Sequence, residues 1–149
     1  MQSKVGNKQI IGWREWIAFP ELGITQIKAK IDTGARSSAL HAYTIEGYKT
    51  KLGKKRVKFI VHPLQKNNKL VVACHADVID QRVIKSSSGQ KELRTTIMTT
   101  LRMGTAEWPI ELTLTNRDTM GFRLLIGRTA IKRKFLVDPQ KSFLTVSNT

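Results

Sequence analysis

The sequence has few of the features expected of a secreted or membrane protein. Its 149 residues include one cysteine, Cys74, so no disulfide can form within the chain and nothing indicates an oxidising compartment. No apolar run is long enough to span a bilayer. The first residues, 1–8, are polar and lack the apolar segment of a secretory signal. We therefore expect a cytoplasmic protein that does not associate with a membrane.

Acidic residues are also scarce. Eleven Asp and Glu stand against 26 Lys and Arg, which gives a net charge of +15 and a long-range attraction for polyanions. The cations concentrate in residues 49–58 and 132–134. Either run could be an ordinary solvated surface. The charge of the whole chain would suit RNA, the ribosome, another nucleic acid or an acidic peptide, and the sequence does not choose among these partners.

Length and composition predict one domain, residues 1–149, because the chain can bury a core and is 40% hydrophobic and 25% charged. The periodicity is mostly that of strands. Strands are predicted over 9–19, 23–32, 40–51, 57–61, 70–79, 82–85, 91–100, 108–115 and 142–146. Turns are predicted at 65–69 and 138–141, and the best helix candidate is 127–134. These patterns predict an all-β protein, a closed barrel with one short helix.

The most informative motif is Asp32-Thr33-Gly34-Ala35, which directly follows a predicted strand. An aspartic protease needs two carboxylates that share a proton, one acting as base towards water and the other as acid towards the carbonyl oxygen. Each acid must lie on a stiff turn, which Thr33-Gly34 would provide. No other aspartate is followed by Thr-Gly or Ser-Gly. This chemistry therefore requires two chains with Asp32 at a two-fold axis, and predicts a homodimer.

Residues 29–42, around this motif, and 122–128, Phe-Arg-Leu-Leu-Ile-Gly-Arg, together resemble the two catalytic parts of a retropepsin-like aspartic protease subunit. Nearly the whole chain is similar to the bacterial retropepsin-like family labelled ATP-dependent zinc protease. Further segments that carry this likeness are 83–89, 108–118, 120–123 and 136–139. Several members of that family accompany an ATP-grasp ligase that adds glutamates to a ribosomal protein.

The resemblance implies a retropepsin-like barrel, an aspartic-type endopeptidase and a set of site residues. Asp32, Thr33 and Gly34 would form the catalytic turn. Substrate-binding residues would come from that turn, from the tip of a flap hairpin and from the segment before the helix, namely Ala35, Arg36, Ser86, Ser87, Ser88, Gly89, Ile126 and Gly127. The substrate would be a peptide or protein that is acidic or modified with glutamate.

The family label also names zinc and ATP, which the sequence does not support. It contains neither a His-Glu-x-x-His pair nor a Gly-x-x-x-x-Gly-Lys-Ser/Thr loop. Cys74 and His75 are adjacent on a predicted strand, where they would point to opposite faces. We therefore expect no metal and no cofactor. Two alternatives stay open: a non-catalytic barrel that binds acidic protein or RNA, and a zinc-dependent peptidase of the kind that the label describes.

Overall fold

The computed structural model describes residues 4–6, 8–64, 69–86, 88–117 and 121–146. Within these residues, eleven strands and one turn of α-helix follow one another along the chain. The strands are β1 (Lys4–Val5), β2 (Lys8–Phe19), β3 (Ile24–Asp32), β4 (Ala39–His41), β5 (Tyr43–Lys49), β6 (Lys55–Val61), β7 (Val72–Lys85), β8 (Lys91–Met103), β9 (Ala106–Thr115), β10 (Leu124–Gly127) and β11 (Phe135–Ser142). The helix, α1 (Arg128–Ile131), begins at the last residue of the Leu-Ile-Gly-Arg segment.

Six of the strands close into a barrel. The order β2-β3-β10-β4-β9-β8 returns to β2 through the pairing of Ala18 with Arg102. Side chains along β3 alternate between the inside and the outside of the barrel. Ile27 and Ala29 are fully buried, whereas Lys28 between them is not. The predicted all-β closed barrel with one short helix is confirmed.

A second sheet extends from the barrel and holds the basic run at residues 49–58. β7 is long enough to serve both sheets, since its first part pairs with β6 and its second part with β8. β5 pairs with β6 and is the last strand in the sheet order. Val57, Phe59 and Val61 are buried, so this sheet shares the core of the barrel.

Two predicted strand boundaries in this region are wrong. Residues 40–51 form two strands because the amide of Ala42 donates to the carbonyl of Thr115, which holds β4 in the barrel. Thr44 then adopts a φ of 48°, and the chain turns into the second sheet. In contrast, the predicted strands 70–79 and 82–85 are one strand, β7, with a register shift between Val78 and Asp80.

The C-terminal prediction is also wrong. Residues 138–141 belong to β11, which runs parallel to β2, and the chain after Ser142 is not a strand. A register shift between Asp138 and Ser142 accommodates Pro139, because a bulge does not require its missing N–H. The predicted turn at 65–69 lies mostly outside the described residues.

Glu15, in β2, anchors the segment that follows β11. Its side chain is fully buried, and its carboxylate accepts four hydrogen bonds. The donors are the amides of Gly12 (2.6 Å), Leu144 (3.0 Å) and Thr145 (3.1 Å) and the Thr145 hydroxyl (2.8 Å). Four donors around an ionised carboxylate compensate for its removal from water.

Replacing Glu15 with glutamine is expected to lower the free energy of unfolding by about 2 kcal/mol, because an amide nitrogen cannot accept the bonds that one carboxylate oxygen now accepts. Urea denaturation measures this loss. Glu107→Gln is the matched control, since its carboxylate is exposed and pairs with Arg102, and should cost less than about 0.5 kcal/mol. Equal losses in the two variants would contradict the anchoring role of Glu15.

No helix in the described part of the chain is both long enough and apolar enough to cross a membrane.

Candidate active site

The Asp-Thr-Gly-Ala turn lies where the chain crosses over the end of a strand. β3 and β10 run parallel, with Asp32 opposite Gly127, and β4 pairs with the other side of β10. Residues 33–38 connect β3 to β4 and must therefore pass over the end of β10. We call residues 33–38 the crossing loop.

Gly127 allows this crossing because it has no side chain. A Cβ at this position would lie 2.6 Å from the carbonyl oxygen of Ser37 and 2.9 Å from that of Ala35. The close approach also permits a hydrogen bond, in which the Gly127 amide donates to the Ser38 hydroxyl at 3.1 Å. The Ile-Gly pair in the sequence thus determines how closely the crossing loop packs on the barrel.

The first residues of α1 hold the crossing loop from the other side. The Arg128 amide donates to the carbonyl of Ala35 at 2.8 Å, and the Thr129 hydroxyl donates to that of Arg36 at 2.7 Å. The Arg128 guanidinium donates to the Gly34 carbonyl at 3.2 Å. Free N–H groups at a helix start therefore bind the loop carbonyls, which fixes the loop.

The Asp32 carboxylate is partly exposed at the start of this loop. Its Oδ1 accepts a hydrogen bond from the Gly34 amide at 3.0 Å. Among the ion pairs between described residues, none involves Asp32. Thr33 and Gly34 are exposed beside it. The acid is therefore positioned by the backbone and is not neutralised by a cation of the described chain.

Asp32 opens onto a cleft of about 990 Å³ between the crossing loop and the β7–β8 hairpin. The lining residues are Asp32, Gly34, Ala35, Arg36, Ser37, Ala39, Arg82, Val83, Ile84, Lys85, Ser86, Arg94, Glu111, Thr113, Leu125 and Thr129. A cleft of this size accommodates several residues of an extended peptide.

The cleft is rich in cations. Arg82 and Arg94 are directly opposite each other in the hairpin. Arg82 donates to Glu111 at 2.5 Å and to Asp80 at 3.1 Å, while Arg94 donates to Glu92 at 3.2 Å. The hydrogen bond from Arg82 lowers the pKa of Glu111. Glu111 is thus held as a carboxylate and is poorly suited to be the protonated partner of Asp32.

The cleft brings together part of the predicted site. Asp32, Gly34, Ala35, Arg36 and Ser86 all line it. The other predicted residues are not among those that line the cleft. Thr33 is exposed beside it, and Ile126 and Gly127 are buried beneath the crossing loop. Ser88 and Gly89 form the hairpin turn next to Ser86, with which both form hydrogen bonds. Ser87 lies outside the described residues.

Sequence reasoning did not identify Arg82, Arg94 and Glu111 as candidates. Side chains two residues apart on a strand lie on the same face, so Arg82 and Ile84 share one face of β7. This much could have been predicted from the sequence. That Arg94 faces Arg82, and that Glu111 on β9 reaches the same place, depends on strand register. A local pattern does not contain that information.

The histidines and the cysteine do not fit a zinc site. Cys74 is buried, which raises the pKa of its thiol to about 11, whereas His75 is exposed. His41 bonds through one ring nitrogen to the Asn116 carbonyl and through the other to Arg123, so both of its nitrogens are in use. Within the described residues, no three His, Cys, Asp or Glu side chains are grouped as metal ligands.

Known proteins resemble this chain in sequence and in fold. It is 49% identical over 137 residues to a protein named probable alpha-L-glutamate ligase from Shewanella pealeana, covering 92% of this chain and 30% of that protein. A protein of the same name from Desulfotalea psychrophila is 49% identical over 132 residues, covering 89% and 28%. The chain therefore spans less than a third of the length of these relatives.

A crystal structure of a protein of unknown function (DUF785) from Legionella pneumophila has the same fold. The TM-score is 0.74 at 28% sequence identity, and the match covers 92% of this chain and 98% of the other. The model of a protein family described as RimB-like, retropepsin-like aspartic endopeptidase RimB, matches residues 10–148. A barrel whose crossing loop carries Asp-Thr-Gly-Ala is in keeping with that match, and the chain belongs to the RimB-like family of retropepsin-like aspartic endopeptidases.

Proposed function

We propose that this protein is a homodimeric aspartic endopeptidase that cleaves acidic or glutamate-modified protein. The observation that carries the proposal is the state of Asp32. Its carboxylate opens onto a large cleft, accepts a backbone hydrogen bond from Gly34 and has no ion pair in the described chain. A carboxylate serving only the stability of the fold would be expected to have a cation or several donors around it, as Glu15 has.

Each chain supplies half of the required chemistry. With Asp32 of two chains at a two-fold axis, like charges at close range cannot both ionise easily, so the pair shares one proton. The ionised carboxylate takes a proton from water as it attacks the peptide carbonyl, and the protonated one donates to the carbonyl oxygen. Thr33 and Gly34 are exposed beside Asp32, where the partner subunit would cover them.

The charges around the cleft support an acidic substrate. Arg36 and Lys85 line the cleft, and neither forms an ion pair with the described residues. Substrate carboxylates would neutralise them. The relatives named probable alpha-L-glutamate ligase contain a segment similar to this chain, which associates the domain with glutamate chemistry. A glutamate-modified ribosomal protein is the candidate substrate that the family resemblance suggests.

A heterodimer with one Asp32→Asn subunit tests the shared site. We expect such a heterodimer, purified through a different affinity tag on each subunit, to retain about 1% or less of wild-type activity, because the remaining carboxylate has no acid partner. The assay follows cleavage of a peptide with a run of glutamates, against the same peptide with glutamines as the less favoured substrate. Half of the wild-type activity in the heterodimer would show two independent sites and contradict the proposal.

A further inference from the structure

Strand β5 has an edge that no other strand occupies. It is the last strand of its sheet, and among the described residues nothing pairs with the side that faces away from β6. The Thr50 amide donates to the Lys54 carbonyl at 2.9 Å, so the backbone of Thr50 faces β6. The register is regular back to Glu46, and hydrogen-bonded positions alternate along an antiparallel pair. The N–H and C=O groups of Gly47 and Lys49 therefore point away from β6, and we call this side of β5 the open edge.

The open edge is accessible to another polypeptide. Gly47 and Lys49 are both exposed. A Cβ at Gly47 would meet the Arg56 carbonyl at 3.9 Å, an ordinary contact with the neighbouring strand β6. The missing side chain thus leaves the backbone at this position uncovered. A row of unpaired backbone groups of this kind is a template for a further strand.

The side chains beside the open edge are cationic. Lys49, Lys51 and Lys55 are exposed and form no ion pair with other described residues. The remaining three cations of residues 49–58 already pair with Glu46 or Asp77. Lys49 is directly opposite Lys55 in the register, so the two lie on one face of the hairpin and repel each other. An acidic side chain placed next to them would relieve this repulsion.

We propose that the open edge binds an extended acidic segment of a partner protein as an added β-strand. The backbone groups of Gly47 and Lys49 bond to the backbone of the segment. Acidic side chains at every second position of the segment lie beside Lys49 and Lys55, because alternate residues of a strand share one face.

The open backbone is the observation that selects this occupant. RNA could meet the lysines, but it has no row of amide N–H and C=O groups with which to complete the edge. A second copy of β5 could complete the edge, but its lysines would add to the positive charge already there. None of Gly47, Lys49 and Lys55 lines the cleft, and the inference does not depend on peptidase activity.

Amide hydrogen exchange, followed by NMR, tests the proposal directly. The probe is a peptide of alternating glutamate and threonine, and the protein carries Asp32→Asn so that the peptide is not cut. The amides of Gly47 and Lys49 should exchange at least tenfold more slowly in the complex, because each gains a hydrogen bond. The amide of Tyr48, which faces β6, should change less than twofold. Binding of the peptide without protection of Gly47 and Lys49 would overturn the proposal.

Two modified peptides of identical charge separate strand pairing from attraction by charge. One alternate set of peptide amides faces β5 and the other faces solvent. N-methylation of the first set should weaken binding, measured from the Gly47 amide signal, at least tenfold, whereas N-methylation of the second set should leave it almost unchanged. Equal affinities of the two methylated peptides would show that charge alone holds the segment, and would overturn the proposal.

The contribution of the lysines is measured on the protein. Replacing Lys49, Lys51 and Lys55 with glutamine should weaken peptide binding at the Gly47 signal about tenfold, because three ion pairs are lost. The control makes the same change at three exposed cations away from β5, namely Lys132, Arg133 and Lys141. An equal loss in the control would contradict a local role of the lysines.

Single-stranded RNA of the same charge as the peptide is the last comparison. It should leave the exchange of the Gly47 and Lys49 amides almost unchanged, because it cannot complete the strand. Protection of both amides by RNA as strong as that by the peptide would overturn the choice of a polypeptide. Thermal melting of each variant verifies that it is folded.

Discussion

Asp32→Asn is expected to reduce peptide hydrolysis by about 10³-fold and to leave the fold intact. The reduction follows from the loss of both the general base and the general acid of the shared pair, since asparagine cannot exchange a proton in either role. The fold should persist because asparagine has the same shape and its Oδ1 can still accept the hydrogen bond from the Gly34 amide. The measurement is the initial rate of peptide cleavage, accompanied by the melting temperature.

Asp138→Asn is the matched control for this prediction. It makes the same chemical change at a partly exposed aspartate whose Oδ1 accepts a hydrogen bond from the Gln140 amide, and Asp138 does not line the cleft. Its activity should equal that of the wild type. If purified Asp32→Asn protein cleaves at the wild-type rate, Asp32 takes no part in the reaction and the aspartic mechanism is wrong.

The second large effect is expected from Gly127→Ala. A Cβ would lie 2.6 Å from the Ser37 carbonyl oxygen and 2.7 Å from its carbon, and both are backbone atoms that cannot move independently of the crossing loop. We expect the free energy of unfolding to fall by about 3 kcal/mol, which corresponds to a drop of about 10 °C in melting temperature. Activity should fall further than stability explains, because the displaced loop carries the Asp32 turn.

Gly47→Ala serves as the control for the steric argument. The added Cβ at Gly47 would meet the Arg56 carbonyl at 3.9 Å, which is an ordinary contact, so the variant should lose less than about 1 kcal/mol. Comparable losses at Gly47 and Gly127 would mean that the close packing of the crossing loop contributes little. Activity measured at a temperature where both variants are folded separates the local effect from unfolding.

Those parts of the fold that depend on short sequence patterns could be predicted from the sequence alone. Alternation in β3 identified a strand with one buried face, and the Asp-Thr-Gly motif placed a tight turn at its end. Only the family resemblance brought the segments of Asp32 and Gly127 together. No short sequence pattern predicts that two residues so far apart in the chain are paired. The helix is shorter than the predicted 127–134. It ends at Ile131, because the backbone of Lys132 is no longer helical.

Other features depend on contacts that no local pattern contains. The Arg82–Glu111 pair requires β7, β8 and β9 to lie side by side in one particular register. Pro139 indicated a turn, yet an edge position and a bulge allow it within β11. Glu15 gives no sign in the sequence of being buried, because three of its four donors belong to Leu144 and Thr145, which approach it only in the folded chain.

The crossing loop also has a consequence for the order of events during synthesis. Asp32 is made before Gly127, on which its turn packs, and before Arg128 and Thr129, which hold that turn. Pairing between segments so distant in sequence is slow, because a long loop must close before any contact forms. A nascent chain would therefore carry Asp32 without the rigid support of its turn until residues 127–129 have been made and have folded against it.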